Sequence, residues 1–413
     1  MWQRAKNVYH LFVAVLANII YQFPAKKLIV IGVTGTDGKT TTTSLIYHIL
    51  KTANLPVSMV STVSAIINGE SYDTGFHVTN PSSVPLQKFL KKALLPDRNT
   101  KSYLVLEVTS HGIDQNRIWG IPFTFGVLTN ITHEHLDYHK TFENYLDTKV
   151  KLLQRAKIAV INRDDDSYKR VSAKLSYKSK KIITYGLQED ADVNPEVFSF
   201  TSNLNGEFNK YNVLAAVSVV REIGVKDEVI REAIKTFTPP AGRGEIVYDK
   251  DFTVMVDFAH TPNSFQELLS NVKPQVTSRV IHVFGCAGER DVSKRPVMGK
   301  ISAKYADIII LTAEDPRCEG VDKINADIKS GIKNPNIEYR ISKQIQNFKI
   351  QNDKKYLFEV SDRQEAINAA VGLAKKGDFV LLTGKAHEKS MNYGKGEEAW
   401  DEFEAVKKAT MNI

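Results

Sequence analysis

The 413-residue sequence predicts two successive α/β domains with parallel sheets, after a short N-terminal helix. Three observations favour this fold. An apolar, β-branched run, LIVIGV, begins at Leu28 and leads through a glycine-rich turn into a helix-compatible stretch. Strand-like and helix-like segments then alternate, which is typical of parallel sheets. Prolines and glycines crowd residues 239–244, and a second series of strands follows.

The N-terminal element is an apolar stretch from Val8 to Phe23 that follows two basic residues, Arg4 and Lys6. It is too short to span a membrane comfortably, and no convincing cleavage site ends it. We expect a helix that packs on the protein. The first alternative is an interfacial membrane helix, and the second is a secretion signal.

The first domain is predicted from alternating segments, which are LIVIGV, TSLIYHILKTA, PVSMVST, YLVLEVTS, FGVLTNI and KIAVINRDD. Polar residues at strand ends, such as Glu107 and Asn130, would lie at the carboxyl edge of the sheet, where the glycine-rich turn also lies. Helices are predicted over 208–224 and 226–236, the second with Asp227 as its N-cap.

The second, smaller domain is predicted to be Rossmann-like, with strands in VMVDF, VIHVFG, IIILTAED and FVLLTG. The expected organisation is therefore an apolar helix over 1–24, a central P-loop-type nucleotide domain over 25–238, and a C-terminal domain over 239–413.

Composition narrows the class of protein. With 42% hydrophobic and 25% charged residues the chain is an ordinary globular protein. The net charge is +8, but lysines and acids are interleaved, so nucleic-acid binding is not expected. Cys286 and Cys318 are the two cysteines, too few for a disulfide framework or a four-cysteine zinc site. They fit a reducing cytoplasm and are predicted to be free thiols.

The glycine-rich turn has the composition of a phosphate-binding loop. Its backbone amides and the following helix N-terminus can bind phosphate oxygens, Lys39 can neutralise the β- and γ-phosphates, and the Thr40 hydroxyl can ligate Mg²⁺. The general P-loop pattern would have glycine at Val33. ATP is the ligand to consider first, and the predicted cofactor-binding residues here are Gly35, Thr36, Asp37, Gly38, Lys39, Thr40 and Thr41.

The spelling GTDGKT at Gly35–Thr40 resembles the nucleotide loop of the Mur ligases and their folylpolyglutamate synthetase relatives. From about Lys27 onward the chain resembles the MurE type of Mur ligase. The motifs that carry this resemblance occur in the family's order: EVTSHGIDQNRI, TNITHEHLDYH, YLDTKVKLL, FNKYNVLAA, GRGEIV, VDFAHTPNS, VFGCAGERDVSKRPVMG, TAEDPR and GKAHE.

The resemblance implies an ATP-dependent amide ligase of peptidoglycan precursor synthesis. Such an enzyme adds the third stem amino acid to the D-Glu of a UDP-MurNAc-L-Ala-D-Glu-type acceptor, through an acyl phosphate. Thr40 and Glu107 supply hard oxygen ligands for Mg²⁺. By resemblance, His135 and a carbamylated Lys149 complete the metal shell. Carbamate formation requires the neutral amine, which burial or nearby cations favour. The implied catalytic residues are Lys39, Glu107, His135, Lys149 and Arg243.

Around the nucleotide, the resemblance assigns Asn209 and Asn212 to the adenine and Asp257 to the ribose. Arg243 and Lys39 would face the phosphates, where a guanidinium suits the charge of a transferred phosphoryl group. For His260, a structural turn role and a functional role both stay open.

The resemblance also assigns the acceptor site. The residues that match it are Thr79, Asn80, Thr109, Gln115 and Arg117. The chain departs from the family at Asn80, where the family often has threonine, and at Thr109, where it has serine. Both changes keep hydrogen-bonding capacity.

The incoming amino acid would be bound by Arg290, Glu314, Asp315, Pro316, Arg317, Gly384 and Glu388. Arg317 favours meso-diaminopimelate, because an arginine can hold the distal carboxylate that lysine lacks. Asp315 replaces the asparagine typical of diaminopimelate-selecting members, and its charge could instead attract the ammonium of L-lysine. We favour meso-diaminopimelate and keep L-lysine open.

Full-length MurE-type ligases carry a uridine-binding domain ahead of the nucleotide loop, whereas here only a short segment precedes Leu28. Either the muramoyl-peptide contacts suffice, or the acceptor is lipid-linked and the N-terminal helix holds the enzyme at the inner face of the membrane. We expect a cytoplasmic monomer. The competing functions are a folylpolyglutamate-type ligase acting on another glutamyl acceptor, a non-ligase P-loop ATPase, and a binding-only paralogue.

Overall fold

Two sheets of mostly parallel strands organise the chain. The computed structural model describes residues 2–72, 81–97, 100–175, 180–341 and 354–411. The first compact unit comprises the residues up to 132 together with 139–240, and the second comprises 133–138 together with the residues from 241 onward. The predicted α/β class is confirmed, because each unit contains a sheet rich in parallel pairs and the chain opens with a helix.

Up to residue 240 the described helices and strands alternate. The helices are α1 (Trp2–Ile20), α2 (Lys39–Thr52), α3 (Ser83–Lys92), α4 (Ser110–Asp114), α5 (Leu136–His139), α6 (Phe142–Arg155), α7 (Tyr168–Leu175), α8 (Glu207–Ile223) and α9 (Asp227–Thr236), with a 3₁₀ turn at Pro24–Lys27. The strands are β1 (Leu28–Thr34), β2 (Val57–Val60), β3 (Ala65–Ile67), β4 (Glu70–Tyr72), β5 (Ser102–Glu107), β6 (Phe123–Leu128), β7 (Ile158–Asn162) and β8 (Lys181–Tyr185).

The first sheet has the strand order β4-β3-β2-β5-β1-β6-β7-β8. Neighbouring strands from β2 to β8 in this order run parallel, whereas β3 and β4 add antiparallel pairs at one edge. Val33 pairs with Glu107 and Thr34 with Leu128. The register therefore ends β1, β5 and β6 at one edge, which is the edge where the glycine-rich turn begins.

Strand β1 is buried on both faces. Ile31 and Val33 join one apolar cluster with residues of α2, α8 and α9, whereas Leu28 and Val30 join a second cluster with residues of α3. A strand covered on both sides needs apolar residues at every position, which explains the continuous run LIVIGV.

One predicted helix boundary is wrong. Asp227 is the first residue of α9 and not its N-cap, a position that Lys226 occupies without a side-chain hydrogen bond. The Asp227 carboxylate accepts a hydrogen bond from Nε of Arg221 at 3.1 Å instead. An acidic residue in the first turn still interacts favourably with the helix dipole.

The second unit repeats the α/β arrangement. Its helices are α10 (Pro262–Val272), α11 (Lys294–Tyr305), α12 (Val321–Lys329), α13 (Arg363–Leu373) and α14 (Glu402–Thr410), with a 3₁₀ turn at Lys273–Gln275. Its strands are β9 (Glu245–Asp249), β10 (Thr253–Asp257), β11 (Val280–Phe284), β12 (Ile308–Leu311), β13 (Ile337–Ile341), β14 (Lys355–Glu359), β15 (Phe379–Thr383), β16 (Ser390–Asn392) and β17 (Glu397–Ala399).

The second sheet has the strand order β13-β14-β12-β11-β15-β10-β9, and only β9 pairs antiparallel within it. Val254 and Val256 of β10 face one apolar cluster, and Met255 faces another on the opposite side of the sheet. The loops that follow β10, β11, β12 and β15 therefore start at a common edge. Strands β16 and β17 form a separate antiparallel pair.

Helix α1 packs on the first unit through one face. Ala14, Ala17 and Asn18 are buried, and Nδ2 of Asn18 donates to the Trp119 carbonyl at 2.9 Å. The opposite face leaves apolar side chains exposed, namely Val8, Tyr9, Phe12, Leu16, Ile19 and Ile20. Among the described residues, no helix combines the length and apolar character needed to cross a membrane. The predicted free thiols are confirmed for Cys286 and Cys318.

Candidate active site

The glycine-rich turn joins β1 to α2 and leaves the amides of the first helical turn without a side-chain cap. Gly35 and Gly38 have φ values of 152° and 78°. A Cβ on Gly35 would lie 1.7 Å from Oγ1 of Thr129, and one on Gly38 would lie 2.2 Å from Oδ1 of Asn212. Both positions therefore require glycine. A helix N-terminus with uncapped amides is suited to bind an anion.

The residues that directly follow the neighbouring strand β6 hold this turn in place. Thr129 donates its hydroxyl to the Asp37 carbonyl at 2.6 Å, and Oδ1 of Asn130 accepts from the Asp37 amide at 2.9 Å. Nζ of Lys39 donates to the Thr36 carbonyl at 2.7 Å. The turn is thus preorganised by its own protein contacts, with Lys39 folded back over it.

Thr40 and Glu107 meet at the carboxyl ends of β1 and β5. The Thr40 hydroxyl lies 3.1 Å from each carboxylate oxygen of Glu107, and Oε2 also accepts from the Thr62 amide at 2.9 Å. Glu107 is 1% exposed. A hydroxyl and a buried carboxylate at the end of a phosphate-binding loop form an oxygen donor set that fits Mg²⁺.

Lys149 lies on α6 and is buried beneath the same turn. Its Nζ donates to the Gly35 carbonyl at 2.5 Å and lies 4.5 Å from the ring centre of Tyr145. The Tyr145 hydroxyl is 3.1 Å from Oγ1 of Thr36. Burial, followed by the Lys149 cation, lowers the pKa of the nearby His139 to about 4. The Lys149 side chain is therefore buried against the glycine-rich turn and is not on the surface.

Asn212 of α8, which is predicted to lie on the adenine side, contacts the glycine-rich turn. Its Oδ1 accepts from the Thr42 hydroxyl at 3.3 Å, and its Nδ2 donates to Oδ1 of Asn209 at 3.0 Å. Since Asn212 also lies against Gly38, the structure groups it with the loop. Thr41 is buried in the first turn of α2.

Three of the predicted acceptor residues, Thr109, Gln115 and Arg117, lie in the segment after β5. Thr109 caps α4, with its Oγ1 accepting from the Gly112 amide at 3.0 Å. Nε of Arg117 donates to Oε1 of Gln115 at 3.0 Å. Thr79 and Asn80 lie outside the described residues.

His135 lies in the 133–138 segment, which belongs to the second unit, whereas Thr40, Glu107 and Lys149 belong to the first. Its Nδ1 is 3.9 Å from Oε1 of Glu134. Lys294, which is buried, donates to the same Glu134 oxygen at 3.1 Å and to the His260 carbonyl at 2.8 Å. Lys294 thus holds the His135 and His260 segments together, and the sequence reasoning did not single it out.

Asp257 ends β10 and organises the loop that carries Arg243. Its two oxygens accept from the amides of Gly244 and Ala259, each at 2.7 Å. The Arg243 guanidinium lies over the Phe258 ring at 4.6 Å. Asp257 therefore holds the loop next to Arg243 through the Gly244 amide.

The loop after β12 carries four of the residues predicted to bind the incoming amino acid, Glu314 to Arg317, and has an unusual backbone. Asp315 and Arg317 have φ values of 44° and 53°, in the left-handed region that costs energy for non-glycine residues. The backbone amide of Arg317 donates to the backbone carbonyl of Asn392 at 2.9 Å, and the backbone amide of Asn392 donates to Oδ1 of Asp315 at 3.0 Å. Pro316 lies between the two strained residues.

Lys385 neutralises Asp315. Its Nζ lies 3.1 Å from both carboxylate oxygens of Asp315 and 3.6 Å from Oε1 of Glu388. All three side chains are largely buried. Lys385 follows Gly384 in the motif GKAHE, but no feature of the motif predicts that it pairs with Asp315.

Glu314 lies beside Gly384 and is buried. A Cβ on Gly384 would lie 2.3 Å from Oε2 of Glu314, and this oxygen has no hydrogen-bond partner among the described residues. Burial raises the pKa of Glu314 to about 8.

Two arginines lie near these acids. Nη1 of Arg317 donates to the Gly288 carbonyl at 2.6 Å. Partial burial and then the neighbouring Arg317 cation lower the pKa of Arg290. Two guanidinium groups close to each other form a site suited to a carboxylate ligand.

Two family models match this chain, and curated proteins are similar to most of it. Residues 33–220 match the Mur ligase middle domain, and residues 242–386 match the Mur ligase glutamate ligase domain. A UDP-N-acetylmuramoyl-L-alanyl-D-glutamate–2,6-diaminopimelate ligase from Clostridium acetobutylicum is 35% identical over 95% of this chain and 80% of its own length. The enzyme of that name from Geobacillus kaustophilus is 35% identical over 91% and 77%.

Two solved structures are similar in fold to this chain. A structure of a UDP-N-acetylmuramoyl-L-alanyl-D-glutamate–2,6-diaminopimelate ligase is 28% identical, with a TM-score of 0.58 over 93% of this chain and 78% of that one. A Mycobacterium tuberculosis folylpolyglutamate synthase with ADP and AMPPCP is 15% identical, with a TM-score of 0.66 over 91% and 92% of the chains. The second likeness shows a shared fold alone.

Proposed function

The chain belongs to the Mur ligase family, and we propose that it is the ATP-dependent ligase that adds a diamino acid to a UDP-MurNAc-L-Ala-D-Glu acceptor in peptidoglycan precursor synthesis. The observation that carries the proposal is the match, along 95% of this chain, to an enzyme named for that reaction. The domain bounds that we propose are residues 1–24, 25–238 and 239–413.

The chemistry that we propose is acyl-phosphate formation followed by aminolysis. The D-Glu carboxylate attacks the γ-phosphorus of ATP and ADP leaves, after which the amine of the diamino acid attacks the acyl carbon and phosphate leaves. The protein contributes mainly positioning and electrostatic stabilisation. We assign the phosphates to the amides of Gly35–Thr41, Lys39 and Arg243, the adenine to Asn209 and Asn212, and the ribose to Asp257.

Mg²⁺ is the metal that we propose for Thr40 and Glu107, since their buried oxygens have the donor chemistry it prefers. When bound, it would offset the repulsion between the phosphates and the attacking carboxylate. We propose His135 and a carbamylated Lys149 as further ligands. The support for the carbamate is that Lys149 is 1% exposed and lies against the glycine turn.

For the diamino acid we propose meso-diaminopimelate. Asp315 could favour L-lysine only if its charge were available to the ligand, but Lys385 and the Asn392 amide already bind its carboxylate. Arg317 and Arg290 remain to bind a distal carboxylate, which L-lysine lacks. Glu314, Gly384 and Glu388 would complete this pocket.

For the acceptor we propose Thr109, Gln115 and Arg117, together with Thr79 and Asn80. The acceptor is either the UDP-linked dipeptide or a lipid-linked precursor. Helix α1 touches this segment, because Nδ2 of Asn7 donates to Oδ2 of Asp114 at 2.9 Å. A membrane-bound α1 would therefore bring the acceptor site to the lipid surface.

We propose that the exposed apolar face of α1 makes a peripheral contact with an anionic membrane, in a monomeric cytoplasmic enzyme. Lys6, Lys26 and Lys27 on the segment and Lys91 and Lys92 on the adjoining α3 are exposed and would attract anionic lipid. The full chain should float with phosphatidylglycerol vesicles and less with phosphatidylcholine vesicles. Phe12→Ser with Ile19→Ser should abolish flotation, whereas Val197→Ser should not. A wild-type protein that ignores both vesicles, or a stable dimer built on this face, would contradict the contact.

The experiment that tests the function combines phosphate release with mass analysis of the product. Purified protein is given ATP, Mg²⁺, bicarbonate, UDP-MurNAc-L-Ala-D-Glu and either meso-diaminopimelate or L-lysine. A tripeptide product with meso-diaminopimelate, and phosphate release that needs both co-substrates, is the expected result. Phosphate release without any amino-acid substrate would indicate an ATPase, and absence of product with this acceptor would contradict the UDP-linked assignment.

A further inference from the structure

Arg363 is the first residue of α13, and its guanidinium is wholly buried in the second unit. Nη1 donates to the Ala313 carbonyl at 3.1 Å, and Nη2 donates to the Thr383 carbonyl at 2.9 Å. Nε and Nη2 also donate to Glu402 at 2.9 and 2.7 Å. One side chain thus binds two backbone carbonyls and a carboxylate.

The two carbonyls immediately precede the predicted amino-acid site. Ala313 is followed by Glu314, and Thr383 is followed by Gly384. Ala313 lies just past β12, and Thr383 ends β15. These two strands are not neighbours, since β11 lies between them in the sheet. Strand pairing therefore does not fix the distance between the two loops directly, whereas Arg363 touches both.

Within the described part of the chain, the Glu402 carboxylate accepts hydrogen bonds from the Arg363 guanidinium and the Trp400 indole. Glu402 is the first residue of α14, it is fully buried, and its Oε2 accepts from Nε1 of Trp400 at 2.9 Å. An ion pair of this kind keeps its geometry because the planar fork of arginine matches a carboxylate. Lysine could not bind Glu402 and two carbonyls in the same directions.

We propose that the Arg363–Glu402 pair is a positioning device that sets the spacing between the 314–317 loop and the 384–388 loop, and thereby the affinity for the diamino acid. The inference rests on the proposed function, which places the diamino acid between these loops. Arg363 acts on the two loops through its hydrogen bonds to the Ala313 and Thr383 carbonyls, so we assign it a positioning role. Its charge also acts on the site, because it opposes the effect of burial on the pKa of Glu314.

A second arginine, which is partly buried and also paired with a buried carboxylate, provides a matched control. Arg279 donates to Asp378 and to the Leu373 carbonyl at 3.1 Å, and the two side chains are 12% and 0% exposed. Arg279 directly precedes β11 and Asp378 directly precedes β15, so this pair lies at the opposite edge of the same sheet. It should support folding without touching the site loops.

The test compares Arg363→Lys with Arg279→Lys in the full chain, well below the melting temperature of each. For Arg363→Lys we expect the KM for meso-diaminopimelate to rise about ten- to hundredfold, with the KM for ATP nearly unchanged, because small misplacements of a binding group are costly. Amide hydrogen exchange should accelerate in the 314–317 and 384–388 loops. Arg279→Lys should change neither quantity.

The inference is overturned if Arg363→Lys leaves that KM and the exchange of both loops at wild-type values, or if Arg279→Lys raises the KM equally. If Arg363→Lys does not fold, Glu402→Gln replaces it, since glutamine keeps one acceptor oxygen for Arg363 but loses the charge and the second acceptor. Absence of turnover in the wild-type protein would contradict the proposed function instead, and the exchange measurement would still decide the positioning role.

Discussion

The Thr40 hydroxyl lies 3.1 Å from both carboxylate oxygens of Glu107, at the edge where β1 and β5 end side by side. The residues are far apart in sequence, but the parallel register places Val33 opposite Glu107. The helix turn that follows the glycine-rich loop and a buried carboxylate therefore lie side by side at this edge of the sheet. That arrangement suits a metal-dependent reaction at a nucleotide phosphate.

We expect Glu107→Gln to lower ligation by about hundredfold or more, because it removes the negative charge from the proposed Mg²⁺ site. Stability should change little, since the glutamine oxygen can still accept from the Thr62 amide. Phosphate release over a range of Mg²⁺ concentrations measures the effect. Thr40→Ser, which keeps the hydroxyl, is the control and should stay active. Wild-type turnover by Glu107→Gln would contradict the assignment.

Lys149→Ala should remove nearly all ligation and leave the protein folded, if the carbamate is formed. Labelled bicarbonate should give a carbamate signal by NMR in the wild-type protein and none in the variant. Lys151→Ala is the matched control, because Lys151 is exposed on the same helix. Full activity of Lys149→Ala would contradict the carbamate proposal.

The fold was predictable because strands covered on both faces must be apolar throughout, so LIVIGV and IIIL are visible as buried strands. The glycine turn was predictable for a related reason, since positions such as Gly38 exclude any Cβ. Tertiary pairings were not predictable. Nothing in the sequence near Asp315 indicates that Lys385 will neutralise it, because 70 residues separate the two along the chain and only the fold brings them into contact.

Asp227 illustrates the same limit at short range. The sequence favours it as an N-cap, but the neighbouring helix offers Arg221, and the carboxylate binds that guanidinium from the first turn instead. An acidic N-cap stabilises a helix by only about 1 kcal/mol. A single contact with another helix is therefore enough to place Asp227 in the first turn instead of at the N-cap. The roles of Lys294 and Arg363 were not predicted, because their partners are backbone carbonyls and acidic side chains from distant segments of the chain.

Gly38→Ala should abolish ATP binding, because the added methyl would lie 2.2 Å from Oδ1 of Asn212 and because φ is 78°. Fluorescent nucleotide titration measures the binding. Gly69→Ala is the control, since Gly69 has a φ of 88° but no atom within 4 Å of an added Cβ. It should cost about 1 kcal/mol of stability and leave nucleotide affinity intact. Equal loss of binding in both variants would assign the effect to backbone strain.

Asp315→Asn tests whether Asp315 selects the diamino acid. Because Lys385 already occupies the carboxylate, we expect the preference for meso-diaminopimelate over L-lysine to stay within about threefold of wild type, with a stability loss of about 1–3 kcal/mol. The ratio of kcat/KM values for the two amino acids measures the preference. A selective, tenfold loss of L-lysine use would show that Asp315 binds the substrate ammonium.

Glu314→Gln should stabilise the protein increasingly as the pH rises. Burial raises the folded-state pKa of Glu314 from 4.5 to about 8, so between these values the folded state holds a proton that the unfolded state has lost. The free energy of unfolding of the wild-type protein therefore falls as the pH rises from 4.5 toward 8, by up to a few kcal/mol from this group. Glutamine carries no such proton and escapes the loss.

Denaturant unfolding of wild type and Glu314→Gln at pH 5 and pH 8 measures the difference. The variant should gain stability relative to wild type mainly at pH 8. Glu388→Gln is the control, because Glu388 lies near Lys385 and its substitution should not stabilise the protein at pH 8. A gain for Glu314→Gln that is equal at both pH values would mean that Glu314 is ionised throughout in the folded protein.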